Sequence, residues 1–416
     1  MKDKKFYPWM VVALLWVVAL LNYLDRQMLS TMRPSMLVDI EELVSATNFG
    51  RLMAVFLWVY ALTSPISGII SDRLNRKWVI VGSLFVWSTV TLGMGYAQTF
   101  EQLYLLRALM GVSEAFYIPA ALALIADYHQ DKTRSLAIGI HTTGIYLGQA
   151  LGGFGATIAS NFSWQITFHW FGIAGILYSV ILILFLREKK AYNPTKKNLL
   201  IKTSFIKEAG SSFKVLGMLV GNIAFWVILF YFSASSLPGW AVKNWLPTLF
   251  SDTLHLDMSE AGPLSTILIA AASFVGVLIG GVVSDKWVLR NLKGRVYTGA
   301  IGLALTIPAL FLIGYGTEFS MIVAGAICFG IGYGIFDTNN MPILCQFIAP
   351  QYRATAYGLM NFVGVAAGAF ITNFLGRSVD AGSLGHDFAW LSVVIAIAIV
   401  LQLTILKPKT INMVNE

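Results

Sequence analysis

Twelve apolar stretches of about 20 residues run along this chain, each long enough to cross a bilayer as a helix. In the first half they fall near 9–29, 50–70, 78–97, 103–126, 135–158 and 165–186. In the second half they fall near 217–250, 261–283, 296–315, 320–347, 354–375 and 388–406. The run at 217–250 is long enough to carry a re-entrant end. Of the 416 residues 57% are hydrophobic and only 12% are charged, about half the charge of a soluble domain. Lipid must therefore be part of the solvent. The first run follows Met1-Lys2-Asp3-Lys4-Lys5, but it is too long for a signal peptide and lacks a small-residue cleavage site, so it reads as the first span.

An even number of spans puts both termini on one side, and the basic residues indicate which. All but six of the 29 Lys and Arg residues fall on the side of the termini. Arg33, Arg51, Lys243 and Arg377 lie opposite, and Arg26 and Arg107 fall inside spans. The bias predicts both termini in the cytoplasm, in a multi-pass protein of the cell (inner) membrane. The net charge of +8 then reflects cytoplasmic loops, and no nucleic-acid partner is expected. The hydrophilic segment after residue 186 divides the chain into an N-terminal six-helix bundle at 1–190, a cytoplasmic linker at 191–216 and a C-terminal six-helix bundle at 217–416. The linker's lysines read as a solvated loop near anionic headgroups, or as a site for a regulatory partner. Cys328 and Cys345, if they share one helix, stand roughly 25 Å apart, so no disulfide framework is expected.

The two halves share an element. Gly68-Ile-Ile-Ser-Asp72-Arg73 follows the second span, and Gly281-Val-Val-Ser-Asp285-Lys286 follows the eighth. Recurrence at matching points of two halves suggests an internal duplication. Gly68, Asp72, Arg73 and Asp285 read as a gate latch at the cytoplasmic face, against the plainer reading of a charged loop.

Four charges sit inside apolar runs: Asp25 and Arg26 in the first span, Arg107 and Glu114 in the fourth. A charge at the bilayer centre costs at least about 2.5–3.5 kcal/mol. Salt bridges pinning two spans together are one explanation, but buried pairs stabilise poorly compared with apolar replacements, which favours function. Arg107 and Glu114 are two helical turns apart and share a face. Asp25 and Arg26 are neighbours whose side chains diverge by about 100°, so one can face a cavity while the other meets a neighbouring helix. Arginine holds a carboxylate in a bidentate fork. Burial favours the protonated form of an acid and a nearby arginine favours the ionised form. An acid balanced between them can exchange a proton as a cavity opens to each side.

The Gly68–Lys77 loop resembles the signature loop of the major facilitator superfamily. Within it the chain looks like the anion:cation symporter family, which includes hexuronate, galactonate and glucarate permeases and vesicular anion carriers. The resemblance is carried by Asn22-Tyr23-Leu-Asp25-Arg26 in span 1, Arg107-Ala-Leu-Met-Gly111-Val-Ser-Glu114 with Pro119 in span 4, Trp245-Leu-Pro247-Thr248 in span 7, and Gly358-Leu-Met-Asn361-Phe-Val-Gly364 in span 11. It implies an all-α membrane protein with twelve transmembrane helices in two six-helix bundles. It also implies proton-coupled symport of a small organic anion, such as a sugar acid or acidic sugar, by alternating access. Asp25 and Glu114 would couple protons, and Arg26 and Arg107 would serve those acids or the anion. Tyr60 and Asn361 match cavity-side polar residues of the family. Gln149, in a glycine-rich span, and Asn340, in the polar run Asp337-Thr338-Asn339-Asn340, are further substrate-binding candidates. That run either lines the cavity or caps a helix broken near Pro342. Lys243 reads as an anion attractor or, more simply, as a snorkelling interfacial lysine.

Ser64-Pro65-Ile66-Ser67-Gly68 departs from the family's Gln-x-Pro-Gly-Gly, and Leu237-Pro238-Gly239 interrupts span 7. Both leave the mechanism intact and put the family's substrates in doubt. The alternatives in the same fold are a spinster-like lysolipid transporter and a metabolite or drug exporter. An enzyme or receptor is disfavoured, because the chain carries no Gly-x-Ser-x-Gly, HExxH or phosphate-loop motif. His141 and His169 show no metal spacing. No cofactor or metal is expected, and the partners are the anionic solute, protons and the bilayer, with one chain sufficient for the fold.

Overall fold

In the computed structural model, residues 3–129, 133–188, 219, 221–349 and 352–411 are described. The predicted linker at 191–216 lies outside them. The described residues form fifteen α-helices and a short 3-10 helix (Glu41–Val44), with no strand among them. The first half comprises α1 (Asp3–Met36), α2 (Ala46–Arg73), α3 (Arg76–Met94), α4 (Phe100–Glu114), α5 (Tyr117–Tyr128), α6 (Arg134–Gly152), α7 (Gly155–Asn161) and α8 (Trp164–Phe185). The second comprises α9 (Ile223–Leu254), α10 (Met258–Val288), α11 (Gly294–Tyr315), α12 (Phe319–Asp337), α13 (Asn340–Phe347), α14 (Arg353–Asp380) and α15 (Leu384–Ile405). Eleven of the continuous or nearly continuous helical segments are long and apolar enough to span a bilayer. The α6–α7 segment occupies the twelfth expected position. Large apolar side chains such as Leu105, Leu184, Val282, Phe370 and Val400 are exposed, as lipid-facing surfaces require.

Three expected spans are broken helices. Span 4 breaks between α4 and α5, directly after Glu114. Pro119 has no N–H to bond the carbonyl of Ala115, and the Ser67 hydroxyl fills that role at 2.8 Å. Span 10 breaks at Thr338-Asn339, with Pro342 in the first turn of α13, where a missing N–H is tolerated. Cys328 and Cys345 consequently lie on separate helices, not one as expected, and both are free. Span 5 breaks at Gly153-Phe154, where α6 meets α10. A Cβ on Gly262 of α10 would stand 2.6 Å from the Gly153 carbonyl, so only glycine permits this approach. Span 7, by contrast, is one unbroken helix over Ile223–Leu254, through Pro238 and Pro247, with no re-entrant end among the described residues.

The two halves pack together on the face opposite the termini. There Trp245 of α9 meets Phe49 of α2 edge-on at 6.1 Å. One apolar core runs through both halves, whereas a second lies wholly in the second half, around α9 and α11–α15. Gln27 of α1 donates to the Lys243 carbonyl (2.7 Å), Thr266 of α10 to the Ala150 carbonyl (2.9 Å) and Thr157 of α7 to the Ser259 carbonyl (2.7 Å). Asp380, at the end of α14, receives hydrogen bonds from the backbone N–H of Ala46 (2.7 Å) and Thr47 (2.8 Å) and from the hydroxyls of Ser45 and Thr47. Ser45 is the N-cap of α2 yet makes no cap bond with its side chain. The second half supplies the cap in its place.

On the terminal face the described ties stay within one half. Arg76 pairs with Asp127, the Lys77 N–H donates to Glu188 (2.9 Å), and Arg295 approaches Asp285 at 3.8 Å. A Cβ added to Gly68 would meet open space. The side chains of Asp72 and Arg73 lie outside the described ones, and Asp285 is 75% exposed.

Candidate functional site

The four membrane charges converge. Asp25, Arg107 and Glu114 are each at most 3% exposed. The Nε of Arg26 donates to Glu114 Oε2 at 2.5 Å, and the guanidinium lies over the rings of Tyr60 (4.6 Å), Tyr23 (4.8 Å) and Phe56 (5.0 Å). Arg107 sits over Phe56 at 4.7 Å and donates only to the sulfur of Met110 (3.2 Å) among described contacts. Ring faces attract a cation without saturating its N–H donors. Arg26 Nη2, Arg107 Nε and Glu114 Oε1 accordingly have no hydrogen-bond partner among the described residues.

Local sequence explains the arrangement. The adjacency of Asp25 and Arg26 sends their side chains apart. Arg26 faces the space between the halves, while Asp25 turns to α3, where Thr91 donates to it at 3.4 Å. Asp25 remains within electrostatic reach of Glu114 and Arg107. Arg107 and Glu114, two turns apart, both face this cluster. With two acids and two arginines the cluster is neutral when fully ionised, which a low-dielectric site demands.

The space beside it has two compartments. A narrow one is lined by Arg26, Arg107, Gln149, Trp240 and Lys243. A cavity of about 280 Å³ adjoins it, lined by Tyr23, Lys243, Asp337, Asn340, Tyr357 and Asn361 among others. Of the expected site residues, Asp25, Arg26, Tyr60, Arg107 and Glu114 form one cluster. Gln149 lines the narrow compartment, and Asn340 and Asn361 line the larger cavity. Gly68 and Asp285 are at the terminal face and belong to neither. Asn340 also donates to Asp337 at 3.2 Å. His141 is buried and bonded to the Tyr117 hydroxyl (2.9 Å), and among the described residues no His, Cys, Asp and Glu group could hold a metal.

Lys243 is not at the interface as the snorkelling reading expected. It lines both compartments, with its ammonium over Trp240 (5.1 Å) and Tyr333 (6.0 Å). The signal for it was a lysine eleven residues before the end of an apolar helix, and only the packing of α9 against α1 reveals that this depth is inside the cavity.

A scan of family models matches residues 15–372 to the Major Facilitator Superfamily. The chain belongs to that superfamily, and with it is a multi-pass membrane transporter and not an enzyme. A hexuronate transporter from Bacillus subtilis (strain 168) is 26% identical over 92% of this chain and 93% of its own length. The sphingosine-1-phosphate transporter SPNS2 of Xenopus tropicalis is 24% identical over 92% of this chain and 78% of its own. Among solved structures, an inward-facing, unoccupied bacterial homologue of the human lysosomal transporter Spinster superposes with a TM-score of 0.78, at 21% identity, over 95% of this chain and 96% of that one. That likeness concerns the fold.

Proposed function

We propose that the protein is a proton-coupled symporter of a small organic anion, a sugar acid or acidic sugar, working by alternating access in the cell (inner) membrane with both termini cytoplasmic. The observation that carries this reading is the buried Asp25–Arg26–Arg107–Glu114 cluster, whose arginines keep unpartnered donors beside a polar cavity. In the mechanism, Arg26 or Arg107 takes the substrate carboxylate, and Glu114 and Asp25 accept protons. Glu114 holds Arg26 only while it is ionised. Protonation releases that guanidinium to the substrate, so one proton on Glu114 and one substrate carboxylate enter together and add no net charge to the site. The bundles at 1–190 and 217–416, joined by 191–216, then rock about the site. A single chain holds all of these groups.

The opposite face is closed through Asp380 and the Gly153–Gly262 contact, and the cavity lies on the other side of this seam. This supports a state open to the cytoplasm. Aromatic rings and amides around about 280 Å³ suit one sugar ring, at the lower edge of the roughly 300–1,000 Å³ typical of ligand pockets. The hexuronate transporter's name agrees with this substrate class. The name of the sphingosine-1-phosphate transporter favours a second reading, a lysolipid carrier, against which stand the cavity's size and its polar wall.

The test is uptake into proteoliposomes of labelled hexuronates, neutral sugars and lysolipids, with and without an inward proton gradient. Saturable, gradient-stimulated uptake of an acid is the expected result. Lysolipid movement without acid uptake would overturn the proposal in favour of the second reading.

A further inference from the structure

We propose that Lys243 is a third cation for the substrate's anionic group, contributed by the second half, and that Asp337, which lines the larger cavity with it, competes with the anion for that cation. This rests on the reading of an anionic substrate. Lys243 stands where the two compartments meet: it lines the narrow one with Arg26 and Arg107, and the larger one with Asp337. Asp337 and Arg26 are near enough to act on its ammonium electrostatically. Among the described residues no carboxylate lies within ion-pair distance of Lys243, and Asp337 takes its hydrogen bond from Asn340. The ammonium is instead held over two aromatic faces, which leaves its three donors free.

A lysine fits this role better than an arginine. Its compact charge on a flexible stem can change partners, whereas a guanidinium fork is committed to one planar geometry. The backbone at the same residue is fixed, because its carbonyl accepts from Gln27 across the seam between the halves. The backbone is anchored, while the ammonium makes no hydrogen bond among the described residues. An anion entering the narrow compartment meets Arg26 and Arg107 from the first half and Lys243 from the second, and so bridges the two bodies that must move. Asp337, beyond ion-pair distance, attracts the same ammonium across the larger cavity and so competes with the anion for it.

Competition predicts opposite signs for the two halves of the pair. Binding of D-glucuronate to the purified protein in nanodiscs, and glucuronate counterflow without a pH gradient, would be compared for wild type, Lys243→Gln, Lys243→Arg, Asp337→Asn and the double variant. Expected are about tenfold weaker binding for Lys243→Gln, an intermediate loss for Lys243→Arg, which keeps the charge but not the freedom to change partners, and severalfold tighter binding for Asp337→Asn. The double variant should match Lys243→Gln. If Asp337→Asn also weakens binding, Asp337 is a substrate ligand or a structural partner and the competition is wrong. If the double variant recovers what both single variants lose, the pair is structural. If glucuronate binding is lost in Arg26→Gln but unchanged in Lys243→Gln, the anionic-substrate reading stands and this inference fails. If wild type binds lysolipid but no glucuronate, both fail. Melting temperature and monodispersity of each variant show that a loss is not misfolding.

Discussion

Replacing Asp380 with alanine should shift the resting protein toward opening on the face opposite the termini. The carboxylate ends α14 in one half and caps α2 in the other, taking two backbone N–H groups and two hydroxyls. The first-turn N–H groups of a helix have no intrahelical partner, and Ser45 does not serve them. Asp380 therefore acts as an N-cap provided across the seam. Loss of a cap costs about 0.5–2 kcal/mol. The bonds cross the seam, so parting the halves on this face must break them, and their loss weakens the closed arrangement. At about 1.4 kcal/mol per tenfold, the ratio of closed to open should fall about 2- to 30-fold. Spin labels on Val38→Cys, which is 78% exposed, and on Thr317→Cys, with Cys328 and Cys345 changed to serine, would report the distance by double electron–electron resonance. The alanine variant should gain a longer-distance population, and Asp380→Asn a smaller one. An unchanged distribution in a fully folded alanine variant would refute the assignment of Asp380 as a latch.

Other expectations follow from the same geometry. Glu114→Gln should abolish gradient-driven accumulation of a hexuronate while preserving exchange of labelled for unlabelled substrate, because the neutral amide imitates the protonated acid; retained accumulation against a gradient would contradict the coupling role. Arg107→Lys keeps the charge but loses the fork, and should raise the apparent KM for an acid at least about tenfold with little change in melting temperature. Ser67→Ala orphans the buried Ala115 carbonyl at the α4–α5 break and should cost about 1–3 kcal/mol, read as a lowered unfolding midpoint in detergent.

The spans and the charge cluster were legible in the sequence because lipid makes both expensive to misplace. A run of about 20 apolar residues has few other uses, and four charges within such runs stand out. The divergence of Asp25 and Arg26 follows from helical geometry alone, and so does the shared face of Arg107 and Glu114. The breaks after Glu114 and at Gly153 were not legible. Pro119 marks the first only once Ser67 is seen to replace the missing N–H, and the second depends on α10 lying against α6. Lys243 was misplaced for a related reason. Hydropathy reports where a residue sits along its own helix, not which neighbour it faces. The repeated Gly-x-x-x-Asp elements read as a latch for the terminal face; the carboxylate that joins the halves on the opposite face is Asp380, which belongs to no repeat, stands 333 or more residues from its partners and gave no sequence signal.

The proposed coupling of acid and anion would be tested by proton entry driven by substrate alone. Proteoliposomes loaded with a pH-sensitive dye, at equal pH on both sides, would receive D-glucuronate outside. Inward symport predicts acidification of the lumen in wild type and none in Glu114→Gln. Glucuronate entry without any change in lumenal pH would contradict proton coupling and strip Asp25 and Glu114 of the role given to them here.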